Sequence, residues 1–364
     1  MFFVAGIAVA VFIEFLLISK KNKSDADKIM TAWMFLLAIH QFLFYLFYSE
    51  EIYNYPFLLG LEMPLPLLHG VLLYLYVGSM TNQLPKNRKL LWLHFLPTVC
   101  TFTYMSISFY GLPATEKIFV FQNEGLGYET FMFILNMAVN ISGVSYVIWS
   151  SILLHKHKKN ILDQFSDLEK VDLQWLQLLT WGLGVLWLVV IFFGGPYVFG
   201  TVVVFVFLIG FFGNKQGTIF TSDHSPAPKS EDKKEKYAKS GLKDDHSDEL
   251  YKKLNLLMKE EEIYKSKEIS IGDLAATLEV HPNYLSQVIN EREGKNFYDY
   301  INSHRVEEFK KLISIPKNQN LTLLALAYDC GFNSKSSFNR FFKKATGQTP
   351  SQYFTSITHS EKEA

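Results

Sequence analysis

The pattern of apolar and polar positions changes character near residue 213. Up to that point it consists of apolar runs, each near the length a helix needs to cross about 30 Å of hydrocarbon. Seven can be read, at 2–19, 31–48, 57–79, 90–110, 131–154, 174–194 and 197–213. Only Gly194-Gly195-Pro196 separates the last two, and the final run is short, so six or eight spans also fit. Residues 214–245 then carry seven Lys and six Asp or Glu with few large apolar side chains, the composition of a flexible linker. From Ser247 onward the apolar residues recur at helical spacing, as in the stripe of Leu250, Leu254, Leu257 and Met258. That stripe fits either the first helix of a C-terminal domain or a pairing face for another chain.

Charge gives the runs an orientation. The segments 20–29, 80–89 and 155–172 hold eleven Lys or Arg, whereas 49–56, 111–130 and 195–196 hold one, Lys117. Basic loops stay on the cytoplasmic side, so the N-terminus is expected outside, and seven crossings put residues 246–364 in the cytoplasm. The first run has its positive charges after the apolar stretch, which reads as a retained span and not a cleaved signal. The expected localisation is the inner (cytoplasmic) membrane. Nearly half of the 364 residues are hydrophobic and 16% are aromatic, which suits this division, and a net charge of zero points to no particular partner.

The last hundred residues repeat themselves. Leu274-Ala275 recur 52 positions later as Leu326-Ala327; after one inserted residue the offset is 53, so that Leu285, Val288 and Ile289 match Phe338, Phe341 and Phe342, and Gly294 matches Gly347. Each copy reads as a helix-turn-helix, at about 270–291 and 322–345, with a connecting helix at about 297–313. Ser270 with Asp273 starts the first copy as a cap, Pro282 suits the first turn of its second helix, and Asn333 or Ser334 caps the corresponding helix of the second copy. The outward faces of these second helices carry Asn283, Ser286, Gln287 and Asn290 in the first copy. In the second they carry Lys335, Ser336, Asn339, Arg340, Lys343 and Lys344. Amides, hydroxyls and guanidinium groups are what read base edges in the major groove.

These residues carry a resemblance. Asp273-Leu274-Ala275, Tyr284-Leu285-Ser286, Cys330-Gly331-Phe332, Ser337-Phe338-Asn339-Arg340-Phe341-Phe342-Lys343-Lys344 and Thr346-Gly347-Gln348-Thr349-Pro350-Ser351-Gln352-Tyr353 resemble the DNA-binding domain of the AraC/XylS family of bacterial transcription regulators. The resemblance implies binding to double-stranded promoter DNA, commonly with recruitment of RNA polymerase and response to a small effector. Two departures stand out. Glu279 occupies the position of the family's turn glycine, at a cost on the order of 1 kcal/mol, and predicts a less rigid first copy. The face of the first copy also has no Lys or Arg, which leaves phosphate attraction to Lys335, Arg340, Lys343 and Lys344. Between His246 and Ala364 sixteen basic residues balance sixteen acidic ones, though Lys335 to His359 holds four basic and no acidic side chains. Salt-sensitive binding of modest affinity follows.

Within the apolar runs, Glu14, His40, Gln41, Glu62, His69, His94, Asn136 and Asn140 are candidates for signal sensing, because exposing such groups to lipid is costly. Bonding between helices is the plainer alternative for each. A bis-histidine haem site would be a more extreme reading, but His40, His69 and His94 occur singly on three runs. Glu62-Met63-Pro64-Leu65-Pro66 interrupts the third run, and the loop 111–130 offers an outer contact surface. In 160–172, Leu162, Phe165 and Leu168 recur every third residue, which predicts a short helix along the bilayer surface or a turn with some buried side chains. Cys100 and Cys330 form no disulfide framework or metal pattern. No cofactor or metal motif is present, nor HExxH, GxSxG or P-loop.

The sequence thus reads as all-α. A polytopic helix bundle (1–213) is joined by a linker (214–245) to a domain with two helix-turn-helix motifs (246–364). The expected function is a membrane-bound, non-enzymatic transcription regulator whose partners are DNA, the lipid bilayer, RNA polymerase, a small-molecule or membrane signal, and a second copy of itself. The alternatives are a membrane enzyme or cofactor-binding protein with an accessory DNA-binding domain, and a passive membrane anchor for DNA.

Overall fold

The computed structural model describes residues 2–168, 173–193, 195–215 and 244–363. Among them the chain is helical, with a single isolated β-bridge between Phe165 and Ser270. It divides into two compact units, Met1–His157 with Leu173–Ala227, and Lys158–Asp172 with Pro228–Ala364. The expected linker at 214–245 lies almost wholly outside the described residues.

The first unit contains α1 (Phe2–Ser19), α2 (Asp25–Tyr48), α3 (Pro66–Met80), α4 (Leu96–Ser108), α5 (Ala114–Gln122), α6 (Glu129–Leu162, shared with the second unit), α7 (Gln174–Phe192) and α8 (Gly195–Lys215). Its core gathers Trp33, Leu37, Leu73, Leu183 and Trp187, while Phe15, Trp92, Ile107, Ile141 and Trp181 stay exposed. Among the described residues four helices are long and apolar enough to cross a membrane: Asp25–Tyr48, Arg88–Ser108, Glu129–Leu162 and Gln174–Phe192. Val4–Ser19, Pro66–Met80 and Tyr197–Phe211 are shorter apolar helices. Two runs and one loop differ from expectation. The run at 57–79 is not one helix: 3-10 turns at Glu51–Asn54 and Pro56–Leu58 precede α3, which begins only at Pro66. Pro64 and Pro66 supply no N–H to an earlier turn, so the backbone cannot be helical through them at little cost. Arg88–Phe95 is 3-10 before it becomes α4, and the loop 111–130 folds its own helix, α5.

The second unit contains α9 (Asp244–Glu260), α10 (Ile271–Thr277), α11 (Pro282–Glu293), α12 (Phe297–Ile313), α13 (Leu323–Asp329), α14 (Lys335–Thr346) and α15 (Pro350–Glu363). It has two apolar centres. Leu250, Leu254 and Met258 of α9 pack with Leu274, Leu285 and Ile289, so the stripe of α9 is buried against the first copy. Phe309, Phe332, Phe338 and Phe342 make the second centre. Helix α12 serves both, giving Phe297, Tyr300 and Ile301 to one and Tyr298, Val306, Phe309 and Ile313 to the other. One rigid rod thus carries the two copies.

Of the two readings for the segment after α6, the structure shows a turn with some buried side chains and not a surface helix. Residues 163–168 are non-helical, and Ile161 and Leu168 are buried in the second apolar centre, at 0% and 5% exposure. Leu162 still belongs to α6, Phe165 is half-buried and only Leu168 is buried, so their three-residue spacing marks no helix. Residues 169–172 lie outside the described residues.

Candidate nucleic-acid interface

Each copy starts from a local capping signal. Ser270 accepts from the backbone N–H of Asp273, whose carboxylate accepts from Ser270 N–H at 2.9 Å, a reciprocal cap for α10. The chain then turns on Glu279, in the left-handed region at φ 56°. His281 caps α11 through Nδ1, and Pro282 fills its first position. In the second copy Thr322 caps α13, Gly331 makes the turn at φ 96°, and Ser334, not Asn333, caps α14. A Cβ on Gly331 would stand 2.8 Å from the carbonyl oxygens of both Tyr264 and Lys265, so close backbone approach as well as the positive φ requires glycine there.

Helices α11 and α14 bury corresponding faces, Leu285, Val288 and Ile289 in one and Phe338, Phe341 and Phe342 in the other. On the opposite face of α11, Asn290 is exposed, whereas Asn283, Ser286 and Gln287 are half-buried, and Gln287 donates to Glu291 at 2.7 Å. On α14, Lys335, Ser336, Asn339, Arg340, Lys343 and Lys344 are all exposed. Lys344 differs from its neighbours, because it bonds Asp299 of α12 at 2.7 Å and lies over the Phe341 ring.

A polar centre joins the copies. Arg305 of α12, 1% exposed, donates to the carbonyls of Tyr264 and Ser266, each at 2.7 Å, and to Asn302 Oδ1 at 3.1 Å, and its guanidinium lies over the Phe332 ring. Burial lowers its pKa to about 10, partly offset by Asp167. Asn302 donates to Ser166 O at 3.0 Å. The segment following α6 completes the centre. Ser166 N–H donates to Ile269 O at 3.2 Å, Ile271 N–H donates to Gln164 O at 2.9 Å, and Asn333 donates to Asp167 and to Lys267 O. Residues 164–168 therefore touch the start of the first copy, the connecting helix and the turn of the second. Cys330 is buried here, and burial raises its thiol to about 12, which makes it an inert core residue.

The family model described as "Helix-turn-helix domain" matches residues 274–356. This part of the chain is an AraC-type helix-turn-helix domain. The chain is similar to the uncharacterized HTH-type transcriptional regulator YobQ of Bacillus subtilis (strain 168), 34% identical over 94 residues, which cover 26% of this chain and 38% of that protein. It is also similar to the uncharacterized HTH-type transcriptional regulator YijO of Escherichia coli (strain K12), 34% identical over 80 residues, 22% of this chain and 27% of that one. A third relative, the uncharacterized HTH-type transcriptional regulator YtdP of Bacillus subtilis (strain 168), is 28% identical over 86 residues, 24% of this chain and 11% of its own. The chain thus spans well under half the length of these curated relatives. No solved structure matches it.

Sequence reasoning missed Arg305 and the 164–168 segment of the helix-turn-helix unit. Arg305 had a usable signal, since it stands four residues from both Ile301 and Phe309 on the apolar stripe of α12, where a charge is out of place.

The candidate sensing residues of the first unit fall into separate places. His69 accepts from Trp33 Nε1–H at 3.2 Å and bonds His40 Nδ1 at 2.8 Å, with the two imidazoles stacked. Because the indole can only donate, neutral rings place the protons on Nε2 of His69 and then on Nε2 of His40. Direct contact between the rings leaves no gap for a haem between them. His40, Gln41 and His69 line a cavity of about 250 Å³, and Glu62, Asn136 and Asn140 line a second of about 480 Å³. Phe44, Pro66, Val139 and Val190 belong to both walls. His94 bonds Tyr146 at 2.7 Å beside Tyr74 and Trp149, and lines neither cavity; nor does the half-buried Glu14.

Proposed function

We propose that the chain is a membrane-bound, sequence-specific DNA-binding transcription regulator that couples a signal at the membrane or outside it to promoter occupancy. The observation that carries this reading is the exposed face of α14, where Lys335, Ser336, Asn339, Arg340 and Lys343 project from a helix anchored by three buried phenylalanines. Arg340 and Asn339 suit base edges, and the lysines suit phosphates. The printed names of the relatives, HTH-type transcriptional regulators, support it. With α11 and α14 on one connecting helix, the two copies would enter successive major-groove segments about 34 Å apart.

The apolar helices and the alternation of basic loops support a multi-pass protein of the cytoplasmic membrane, with its N-terminus outside and the DNA-binding part inside. In this reading residues 158–168 are the coupling element. They comprise the end of α6 and the segment after it, which is bonded to both helix-turn-helix copies and to Asn302 between them. A signal that favours one state of the helical bundle over another would shift this segment and alter the presentation of the two copies. RNA polymerase and a second copy of the chain are the further partners of this mechanism.

Chromatin mapping of the full-length protein tests the reading. Discrete promoter sites, lost in Arg340→Ala, are expected. Featureless occupancy, or sites unchanged in that variant, would contradict it. Topology is tested separately with C-terminal reporter fusions, which should be active only as cytoplasmic fusions.

A further inference from the structure

The larger cavity of the first unit has a chemistry that nothing in the helix-turn-helix resemblance explains. Its volume of about 480 Å³ is in the range of small-molecule sites. Six aromatic rings line it, from Phe44, Phe47, Phe109, Phe121, Tyr128 and Phe131. The only charged side chains in its wall are acidic, Glu62 and Glu124. Glu124 is exposed on the segment after α5, whereas Glu62 is buried, at 8% exposure. Lys117 lies over the ring of Phe109, 6.0 Å from its centroid, and is not itself a wall residue.

The two buried polar side-chain atoms of this wall that lack a partner are both acceptors. Glu62 Oε2 and Asn140 Oδ1 are buried without a hydrogen-bond partner among the described residues. The amide nitrogen of Asn140 is engaged, donating to Asn136 Oδ1 at 2.6 Å. A buried carboxylate oxygen facing aromatic rings is costly unless a donor, preferably a positive one, meets it. The faces of the rings carry negative quadrupole charge and attract the same kind of partner. Carboxylate, amide oxygen and ring faces together disfavour an anion.

We propose that this cavity binds an aromatic or aliphatic organic amine in its protonated form. The ammonium sits between Glu62 and Asn140, and the apolar body lies among the phenylalanines. The cavity shares Phe44, Pro66, Val139 and Val190 with the neighbouring His40–His69 cavity, so an occupant presses on the wall of both. The proposal deepens the sensing role assigned to the first unit and rests on it for its purpose. Binding itself is measured without DNA, so a failure here leaves the DNA-binding reading untouched.

The test uses the full chain in lipid nanodiscs and calorimetric titration with 4-phenylbutylamine, 4-phenylbutanol and 4-phenylbutyrate. Saturable binding of the amine is expected, at least about tenfold tighter than the alcohol, with no binding of the carboxylate. Glu62→Gln should bring the amine to the level of the alcohol, and Asn140→Leu should weaken it several-fold. The amine-to-alcohol ratio needs no variant, so a misfolded substitution does not remove the test. Equal affinity for amine and alcohol would overturn the proposal, as would absence of saturable amine binding, in which case water satisfies Glu62. An amine affinity unchanged in a folded Glu62→Gln protein would also overturn it.

Discussion

The first helix-turn-helix copy turns on Glu279 at φ 56° and the second on Gly331 at φ 96°. The first presents amides and a hydroxyl, three of its four candidate residues being half-buried, while the second presents an arginine and three lysines in full exposure. Their cores differ as well, aliphatic around Leu285 and Ile289 but built of phenylalanines packed tilted or edge-on around Phe338 and Phe342. The difference teaches that duplication has kept the frame and separated the tasks. In the proposed function the second copy supplies attraction and rigid placement, and the first neutral discrimination. Arg305 and residues 164–168 then hold the two in register.

The largest effect should come from removing what they share. Arg305→Met strands the carbonyls of Tyr264 and Ser266 and frees Asn302, and is expected to destabilise the second unit by about 3–5 kcal/mol. Hydrogen exchange on the full chain should find protection lost in both copies; loss confined to one would break the idea of a shared clamp. At the two turns the same measurement should give opposite signs. Gly331→Ala should cost about 3 kcal/mol, because its Cβ meets two backbone carbonyls, whereas Glu279→Gly should stabilise the first copy by about 1 kcal/mol.

DNA contacts sharpen the comparison further. Arg340→Ala should lose about 1–3 kcal/mol of discrimination at one base pair and also weaken the salt dependence. Asn290→Ala should relax discrimination at a different base and leave the salt dependence as it was. Competition titrations over a range of salt would separate the two. The smallest difference is expected between two lysines on one helix. Lys343→Ala should lower the slope of log K against log salt by about 0.9. Lys344→Ala should lower it less, because Asp299 already bonds that ammonium at 2.7 Å.

Much of the second unit was legible because its signals are local. Ser270 with Asp273, Pro282 and Gly331 act within a few residues of themselves, and the apolar spacing of α11 and α14 repeats. The 164–168 segment was not legible, since its partners, from Ile269 to Asn333, lie about a hundred or more positions away and its own spacing imitates a helix. The third apolar run misled for a related reason. Its composition suits a span, but two prolines within three residues decide the backbone, and α3 is shorter than the run. His40 and His69 read as isolated histidines on separate runs, and only tertiary packing brings them to 2.8 Å. Glu62 stands in the turns before α3 and Asn140 on α6, and their shared cavity has no sequence signature.

The most direct test of a two-pronged, divided interface is a hydroxyl-radical footprint of the full-length protein on one of its promoter sites, repeated with Arg340→Ala and with Asn290→Ala. Two protected segments are expected on one face of the duplex, about one helical turn apart. Each variant should erase sequence preference in its own segment only, with the loss of salt dependence confined to Arg340→Ala. A single protected segment, or two that respond alike to both substitutions, would contradict the account.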